Sequence, residues 1–378
     1  MKKWQEVKLG DIVYFNPSEK LIKGNYYKKI SMDCLLPHTR KINRYKINIF
    51  NGGSKFRNGD TLMARITPCL ENGKTAQVSI LEKNEVGFGS TEFIVLRGKE
   101  NITYNDFIYY LFNTDYIRNT AIKSMTGTSG RQRVEENVLK NIIIKLPSLP
   151  EQQKIASFLT SADELIDAER RKLEALKKYK KGLMQKLFPR DGEKVPEMRF
   201  PEFQTAGEWE EKKLEELCSI KKGEQKNKLD LIENGKYPVL NGGVTFSGYC
   251  NSYNREANTI AISEGGSCGY VNFIKTKFWS SGHCYTLHDA SIDTLFLYQC
   301  LKHNENRIMK LGIGTGIKNI PLSYIKEFSI QTSKSIKEQQ KISEVLSTAD
   351  ELIDAERRKL EALKKYKKGL MQKLFPSR

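Results

Sequence analysis

The chain has 378 residues, a formal net charge of +18 and a sequence pI near 9.4. It is long enough for more than one buried core, and 39% hydrophobic against 29% charged residues sets a disordered chain aside. The positive excess points to a polyanion, nucleic acid first, because Lys and Arg neutralising phosphates release condensed counterions. No apolar run approaches the ~18–20 residues of a membrane span, and the start turns polar at once, unlike a signal peptide. Seven cysteines without a C-x-x-C fit reduced cytoplasmic thiols better than a disulfide framework.

Residues 1–147 form a first globular stretch. Short β-like runs at Ile47–Phe50, Thr61–Arg65, Ala76–Ile80 and Glu92–Leu96 are separated by turn signals such as Asn51-Gly52-Gly53 and Asn58-Gly59-Asp60. A helix is expected over Asn105–Met125, with Phe107, Tyr110, Leu111 and Ile117 inward. Ser148-Leu149-Pro150-Glu151 then reads as a capping box with Pro in the first turn. It opens a helix over 148–190, on the order of 55 Å long. A polar linker, 191–208, leads to a second globular stretch, 209–334. This echoes the first: Trp209–Leu214 follows Trp4–Leu9, Asn241-Gly242-Gly243 follows Asn51-Gly52-Gly53, and Asp293–Thr315 aligns with Asp106–Thr128. A second helix, 335–378, opens with the capping pattern Ser335-Ile336-Lys337-Glu338.

The two helices carry the same sequence. Ala162–Pro189 and Ala349–Pro376 match letter for letter, and Glu151–Ile155 matches Glu338–Ile342. Leu159, Ile166, Leu173, Lys180 and Leu187 fall seven apart, as do Ile155, Ala162, Glu169, Leu176 and Leu183, which makes the a and d seam of a coiled coil with two polar interruptions. Asp163, Glu164, Asp167 and Glu169 lie towards the helix start, and Lys177, Lys178, Lys180, Lys181 and Lys186 towards its end. Antiparallel pairing sets acid against base, whereas parallel pairing sets like against like. The fold class is therefore α/β: two globular α/β domains separated by a long intramolecular antiparallel coiled coil, with a pseudo-two-fold repeat. Packing accounts for the seam but not for identical outer faces. Those suggest one partner bound twice, through Glu151, Gln152, Gln153, Lys177, Lys178 and Lys181 and their copies Glu338, Gln339, Gln340, Lys364, Lys365 and Lys368.

Three loop groups recur in both globular stretches and are the candidate DNA surfaces. They supply Asn51, Gly52 and Gly53; Arg65, Thr67, Asn72 and Lys74; and Thr128, Arg131, Gln132 and Arg133. In the second stretch the counterparts are Asn241, Gly242 and Gly243; Ser263 and Ser267; and Thr315, Lys318 and Asn319. Glycines let backbone N–H groups approach phosphates, and Arg, Gln and Asn read base edges. Pro68–Thr75 only approximates a phosphate-binding loop. Cys250, Cys268, His283, Cys284 and His288 fit no zinc spacing. Gly87-Phe88-Gly89 is no dinucleotide fingerprint, and no nucleophile–base arrangement stands out. No catalytic or metal site is expected.

Divergent domain, long helix, second divergent domain and repeated helix together resemble the specificity (S) subunit of Type I restriction–modification enzymes. The residues that carry the resemblance are Leu146–Ile155, Lys180–Phe188 with its copy Lys367–Phe375, and Ala64–Lys74. The resemblance implies two target recognition domains, each reading one half of a bipartite site on double-stranded DNA. It implies that the helices hold the halves apart and dock two modification (methyltransferase) subunits, with restriction (motor/nuclease) subunits joining in the full complex. The chain itself would be non-catalytic and cytoplasmic, in a bacterium or archaeon. S-adenosylmethionine, and ATP with Mg for restriction, would belong to partner subunits. Because the two domains differ, the full site should be non-palindromic.

Overall fold

A computed structural model describes residues 4–316 and 318–375, with the side chain of Lys228 outside the described set. The chain forms two compact units. One comprises the residues up to Arg170 together with those from Arg358 onward; the other runs from Arg171 to Arg357. The boundary falls inside both long helices, so each unit owns one globular domain and half of each helix.

In the first unit, strands Val13–Phe15, Phe93–Gly98, Thr61–Ala64 and Thr75–Gln77 lie side by side in one antiparallel sheet. A second sheet orders Lys46–Ile49, Tyr26–Ile30, Gly87–Gly89 and Ser54–Phe56, with one parallel pair at its centre. Gly87-Phe88-Gly89, set aside above as a dinucleotide fingerprint, is a buried strand. Its glycines are required by crowding, since a Cβ at Gly89 would lie 2.4 Å from the Ile30 carbonyl oxygen. The expected helix over Asn105–Met125 is two helices, Asn105–Phe112 and Asp115–Lys123. The break has a local cause: Asn113 Nδ2 donates to the Tyr109 carbonyl (2.7 Å) and Thr114 Oγ1 to that of Leu111 (2.7 Å), ending the first helix with side chains. Phe107, Tyr110, Leu111 and Ile117 are all buried.

The second unit repeats this plan. Ser219–Lys222, Cys284–His288, Thr259–Ser263 and Val271–Ile274 form the larger sheet, and Gly248–Cys250, Tyr237–Leu240 and Trp279–Ser280 a smaller one. Each domain is also closed by an antiparallel pair: Gln5–Lys8 with Ile143–Leu146, and Glu210–Lys213 with Ser329–Thr332. The echo between Trp4–Leu9 and Trp209–Leu214 therefore reflects the same strand. The domain helices align differently from the sequence reading: Tyr104, not Asp106, corresponds to Asp293. Both backbone N–H groups donate to a glutamine of a long helix, Gln152 and Gln339 (3.0 and 2.9 Å).

The long helices run Leu149–Leu187 and Ile336–Leu374, uninterrupted by Gly182 or Gly369. The expected end of the second at Pro376 lies outside the described residues. Within each unit the helix halves pair antiparallel along the expected seam. In the first unit Lys359 Nζ lies 2.5 Å from Glu169, and Lys367 pairs with Asp163. As one number rises, its partner's falls. The second unit makes the same two pairs with the copies exchanged: Lys172–Glu356 at 2.7 Å and Lys180–Asp350 at 2.6 Å. Leu159, Ile166 and Leu173 are buried, as are Leu346, Ile353 and Leu360. Burial holds the Lys180 ammonium below its usual pKa despite Asp350. The helix ends are hydrophobic plugs. Phe375 packs on Phe107 (5.3 Å between ring centroids), and Phe188 stacks between Phe296 (5.9 Å) and His303 (4.9 Å).

Neither helix start is a full capping box. In the first, Glu151 Oε1 accepts from Trp4 Nε1 (3.1 Å), and Ser148 contributes its carbonyl to the N–H groups of Glu151 and Gln152. In the second, Ser335 Oγ accepts weakly from Glu338 N (3.4 Å). The Glu338 carboxylate is held instead by Arg199 (2.6 and 2.9 Å) and Ser333. Arg199 comes from the linker, which is tied down by this pair and by Met198 N donating to the Lys186 carbonyl (2.8 Å) and Trp209 N to that of Lys194 (2.8 Å).

Candidate nucleic-acid interface

In the first unit the three recurring loops meet where strands Thr61–Ala64 and Phe93–Gly98 end. Arg65 N donates to the Glu92 carbonyl (3.0 Å), Val134 N to that of Arg65 (2.9 Å), and Thr67 N to that of Gln132 (3.0 Å). The loop after the domain helices is closed by reciprocal bonds between Thr126 and Arg133 (3.0 and 2.9 Å), and its tip by Arg131 N on the Thr128 carbonyl (2.9 Å). From the other side Ser54 Oγ donates to the Phe93 carbonyl (3.0 Å). Gly53, at φ +123°, passes so close to the Gly89 carbonyl oxygen that a Cβ would sit 2.1 Å from it. Asn51 and Gly52 stand exposed beside it.

The side chains divide into two sets. Arg133 is spoken for: Nε and Nη2 grip the Glu92 carboxylate at 2.9 and 2.7 Å, and these bonds hold that carboxyl below its usual pKa. Arg65 lies 3.6 Å from Glu135, and Thr67 Oγ1 donates to Glu71 (2.7 Å). These groups shape the loops. Thr128 and Arg131 are exposed at the tip, and Gln132 is half-buried. Asn72 is exposed at the turn beyond the node, and Lys74 is tied to the Met32 carbonyl (3.0 Å) rather than to the node.

The second unit repeats the backbone frame with different chemistry. Glu264 N donates to the His283 carbonyl (2.9 Å) and Ile320 N to that of Glu264 (2.9 Å), which are the bonds Arg65, Glu92 and Val134 make in the first unit. Ile313 and Asn319 exchange the closing bonds (2.9 and 3.0 Å). Gly242 is pinned, its N–H on Cys284 Sγ (3.1 Å) and its carbonyl on Ser267 N (2.8 Å). At the node, however, stands Glu264 in place of Arg65. Its carboxylate receives Lys222 Nζ at 2.9 Å and faces the Tyr285 hydroxyl at 3.0 Å. Burial pushes the Cys284 thiol beneath the loop up to about 11. Thr315, Lys318 and Asn319 are exposed, while Asn241 and Gly243 are half-buried. Ser263 is wholly buried at the end of its strand, which removes it from any surface role.

The frame carboxylates Glu92, Glu135 and Glu264 escape sequence reading. Nothing in their spacing marks them as partners of residues 41–70 positions away, and only the folded node brings them to the arginines and Lys222.

Three of the residues expected to dock a partner are corrected by burial. Gln152 is 0% exposed, Glu338 0% and Gln339 2%. Each glutamine spans helix start and domain: Gln152 Nε2 donates to the Ile102 and Pro147 carbonyls (3.0 Å each), Gln339 Nε2 to that of Ser333 (2.7 Å). Glu151 is half-buried on Trp4. Gln153, Lys177, Lys178, Lys181 and their copies Gln340, Lys364, Lys365 and Lys368 are exposed. Among the described residues no group of three or more His, Cys, Asp or Glu could hold a metal, and no helix is long and apolar enough to cross a membrane.

Comparison with known proteins fits this two-domain plan. The family model for the Type I restriction modification DNA specificity domain matches residues 1–178 and 206–365. A chain of Mycoplasma pneumoniae named as a type I specificity subunit is 40% identical over 174 residues, 45% of this chain and 46% of its own. A Mycoplasma genitalium counterpart is 35% identical over 170 residues, 44% of each chain, so the match spans about half the length of these two relatives. The Type I restriction enzyme MjaVIII specificity subunit of Methanocaldococcus jannaschii is 26% identical over 406 residues, covering 98% of this chain and 92% of its own. The crystal structure of the Type-I restriction-modification system S subunit from M. genitalium shares the fold, with a TM-score of 0.66 at 19% identity over 99% of this chain and 96% of that one. With two matched stretches that together take in most of its residues, the chain belongs to the Type I restriction modification DNA specificity domain family and carries that domain twice.

Proposed function

We propose that this chain is the non-catalytic DNA-recognition subunit of a Type I restriction–modification complex. Each globular domain reads one half of an asymmetric bipartite site on double-stranded DNA. The paired helices set the spacing of the half-sites and dock two modification subunits, with restriction subunits joining in the full complex. The observation that carries the reading is the node. Both domains hold three loops on one backbone frame, yet the exposed polar groups on it differ: Thr128 and Arg131 in the first domain, and Thr315, Lys318 and Asn319 in the second. A constant frame with exchanged polar groups is what reading two different sequences requires, because donors and acceptors on base edges specify and the frame positions.

Docking has separate support. Phe158, Leu165 and Tyr179 are exposed large apolar residues that share one heptad position outside the seam, and Leu352 and Tyr366 repeat it in the second helix. Exposed apolar side chains at helical spacing, flanked by Gln153 and the exposed lysines, suit the apolar stripe of a partner helix. S-adenosylmethionine, ATP and Mg then belong to the partner subunits, and the complex works in the cytoplasm of a bacterium or archaeon.

Genome-wide profiling of methylated bases, with this chain and its modification subunit expressed together and apart, tests the reading. Methylation by the pair alone, at a non-palindromic bipartite motif, is expected. Methylation by this chain alone, or at a motif unchanged when the chain is omitted, would count against it.

A further inference from the structure

In the first unit the strand Lys46–Ile49 is the edge of its sheet and is exposed at all four positions. It pairs with Tyr26–Ile30 to make a two-stranded ribbon: Tyr26 opposite Ile49, Tyr27 opposite Asn48, Lys28 opposite Ile47 and Lys29 opposite Lys46. Successive side chains alternate between faces, so one face carries Tyr26, Lys28, Ile47 and Ile49, and the other Tyr27, Lys29, Lys46 and Asn48. The first is internally satisfied. Lys28 reaches Glu85 at 2.9 Å and lies 5.2 Å from the Tyr45 ring centroid.

On the second face Lys29 and Lys46 stand directly opposite one another; Lys29 Nζ lies 5.9 Å from the Phe88 ring centroid, and neither lysine makes an ion pair among the described residues. Like charges directly opposed across a ladder destabilise a sheet. Asn48 uses its Oδ1 on the N–H of Ile49 (2.8 Å), and its amide nitrogen donates to nothing among the described residues. The surrounding sequence compounds the charge: from Lys20 to Lys46 there are eight Lys and Arg against one acid, Asp33. The strand Lys46–Ile49 leads through Phe50 into Asn51-Gly52-Gly53, so the ribbon is continuous with the loop node. The counterpart in the second unit pairs Tyr237 with Cys250, Pro238 with Tyr249 and Val239 with Gly248, and has no such lysine pair.

We infer that the ribbon Tyr26–Ile30/Lys46–Ile49 is a second DNA-reading element of the first domain, with Lys29 and Lys46 on phosphates and Asn48 on a base edge. The inference rests on the DNA-recognition role proposed above. The major groove of B-DNA, about 12 Å wide, admits a two-stranded ribbon, and an Asn amide pairs with adenine there. A phosphate backbone neutralises the charges of Lys29 and Lys46. The second domain, lacking the pair, reads its half-site through its loops.

The test uses the full chain assembled with its modification subunits, comparing wild type with Asn48→Ala and with the double variant Lys29→Gln/Lys46→Gln. Asn48→Ala should relax one base position in one half-site, by roughly tenfold or more in discrimination, and leave the other half-site unchanged. The double variant should bind all sequences more weakly, with a log–log salt slope shallower by about 2. Its melting temperature should stay near that of the wild type, since neither lysine makes an ion pair among the described residues that the substitutions would break. Wild-type motif, affinity and salt slope in both variants would overturn the inference while leaving the DNA-recognition role standing. A wild-type complex that methylates no bipartite site would overturn that role and the ribbon with it.

Discussion

The two units hold their helical seam by the same ion pairs and their loop nodes by the same backbone bonds, but they differ in the side chains that face outward from the node and in what holds the glutamate at each helix start. Asp163–Lys367 in one unit is Asp350–Lys180 in the other. Arg65 in one node is Glu264 in the other, on an identical pair of backbone hydrogen bonds. The difference separates what must stay constant from what is free to vary. The seam fixes how the halves pair and the frame fixes where the loops stand. The side chains on that frame carry whatever each domain discriminates.

The helix starts offer the sharpest way to break the comparison, because one repeated residue does different work in each. Glu338 is buried and paired with Arg199, whose side chain is 7% exposed. Removing one partner of a buried pair costs about 3–5 kcal/mol, so Glu338→Ala should strongly destabilise the second unit. Glu151→Ala loses one hydrogen bond from Trp4 at a half-exposed site, on the order of 1 kcal/mol. Urea unfolding followed by fluorescence and by limited proteolysis reads both; equal losses would show that the starts are interchangeable after all.

Removing one heptad from both long helices comes next. The seam register survives, since acids and bases keep their antiparallel partners, but each helix shortens by ~10 Å. The preferred spacer between half-sites should fall by about 3 base pairs. An unchanged spacer would separate the helices from spacing.

The smallest effect is pH dependence. Burial lowers the pKa of His38 in the first unit, and of His288 and His303 in the second. A folded-state pKa below the unfolded value of about 6.5 means the native state binds fewer protons. Stability is therefore full above that pH and is lost as pH falls through the lowered folded values. The second unit, with two such histidines, should lose stability faster between pH 7 and 5. His303→Phe, which keeps a ring against Phe188, should blunt that loss; an unaltered profile would place the acid sensitivity elsewhere.

Much of the architecture is legible in sequence because it depends on periodic or repeated signals. Leu159, Ile166 and Leu173 fall seven apart, and the acidic and basic halves of one helix leave antiparallel pairing as the only complementary choice. The recurring loops are legible because Asn-Gly-Gly and Gly-Thr punctuate both domains. What stays hidden depends on contacts between distant residues. Gln152 and Gln339 look like outer-face residues, since nothing nearby says that Tyr104 N and Asp293 N need an acceptor. Asn105–Met125 looks like one helix, since Asn113 and Thr114 break it through side-chain bonds to carbonyls rather than through Pro or Gly. Arg133 looks like a base reader until Glu92 is brought to it, and the pairing of Lys29 with Lys46 becomes visible only once the register sets them opposite.

The central claim is that a constant frame carries two independent readers. The most direct test replaces the second domain, 209–334, by a second copy of 1–147 between the unchanged long helices, and maps methylation with the modification subunits present. A symmetric motif built from two inverted copies of the half-site that the first domain reads is expected. A motif that keeps the original second half-site would contradict it.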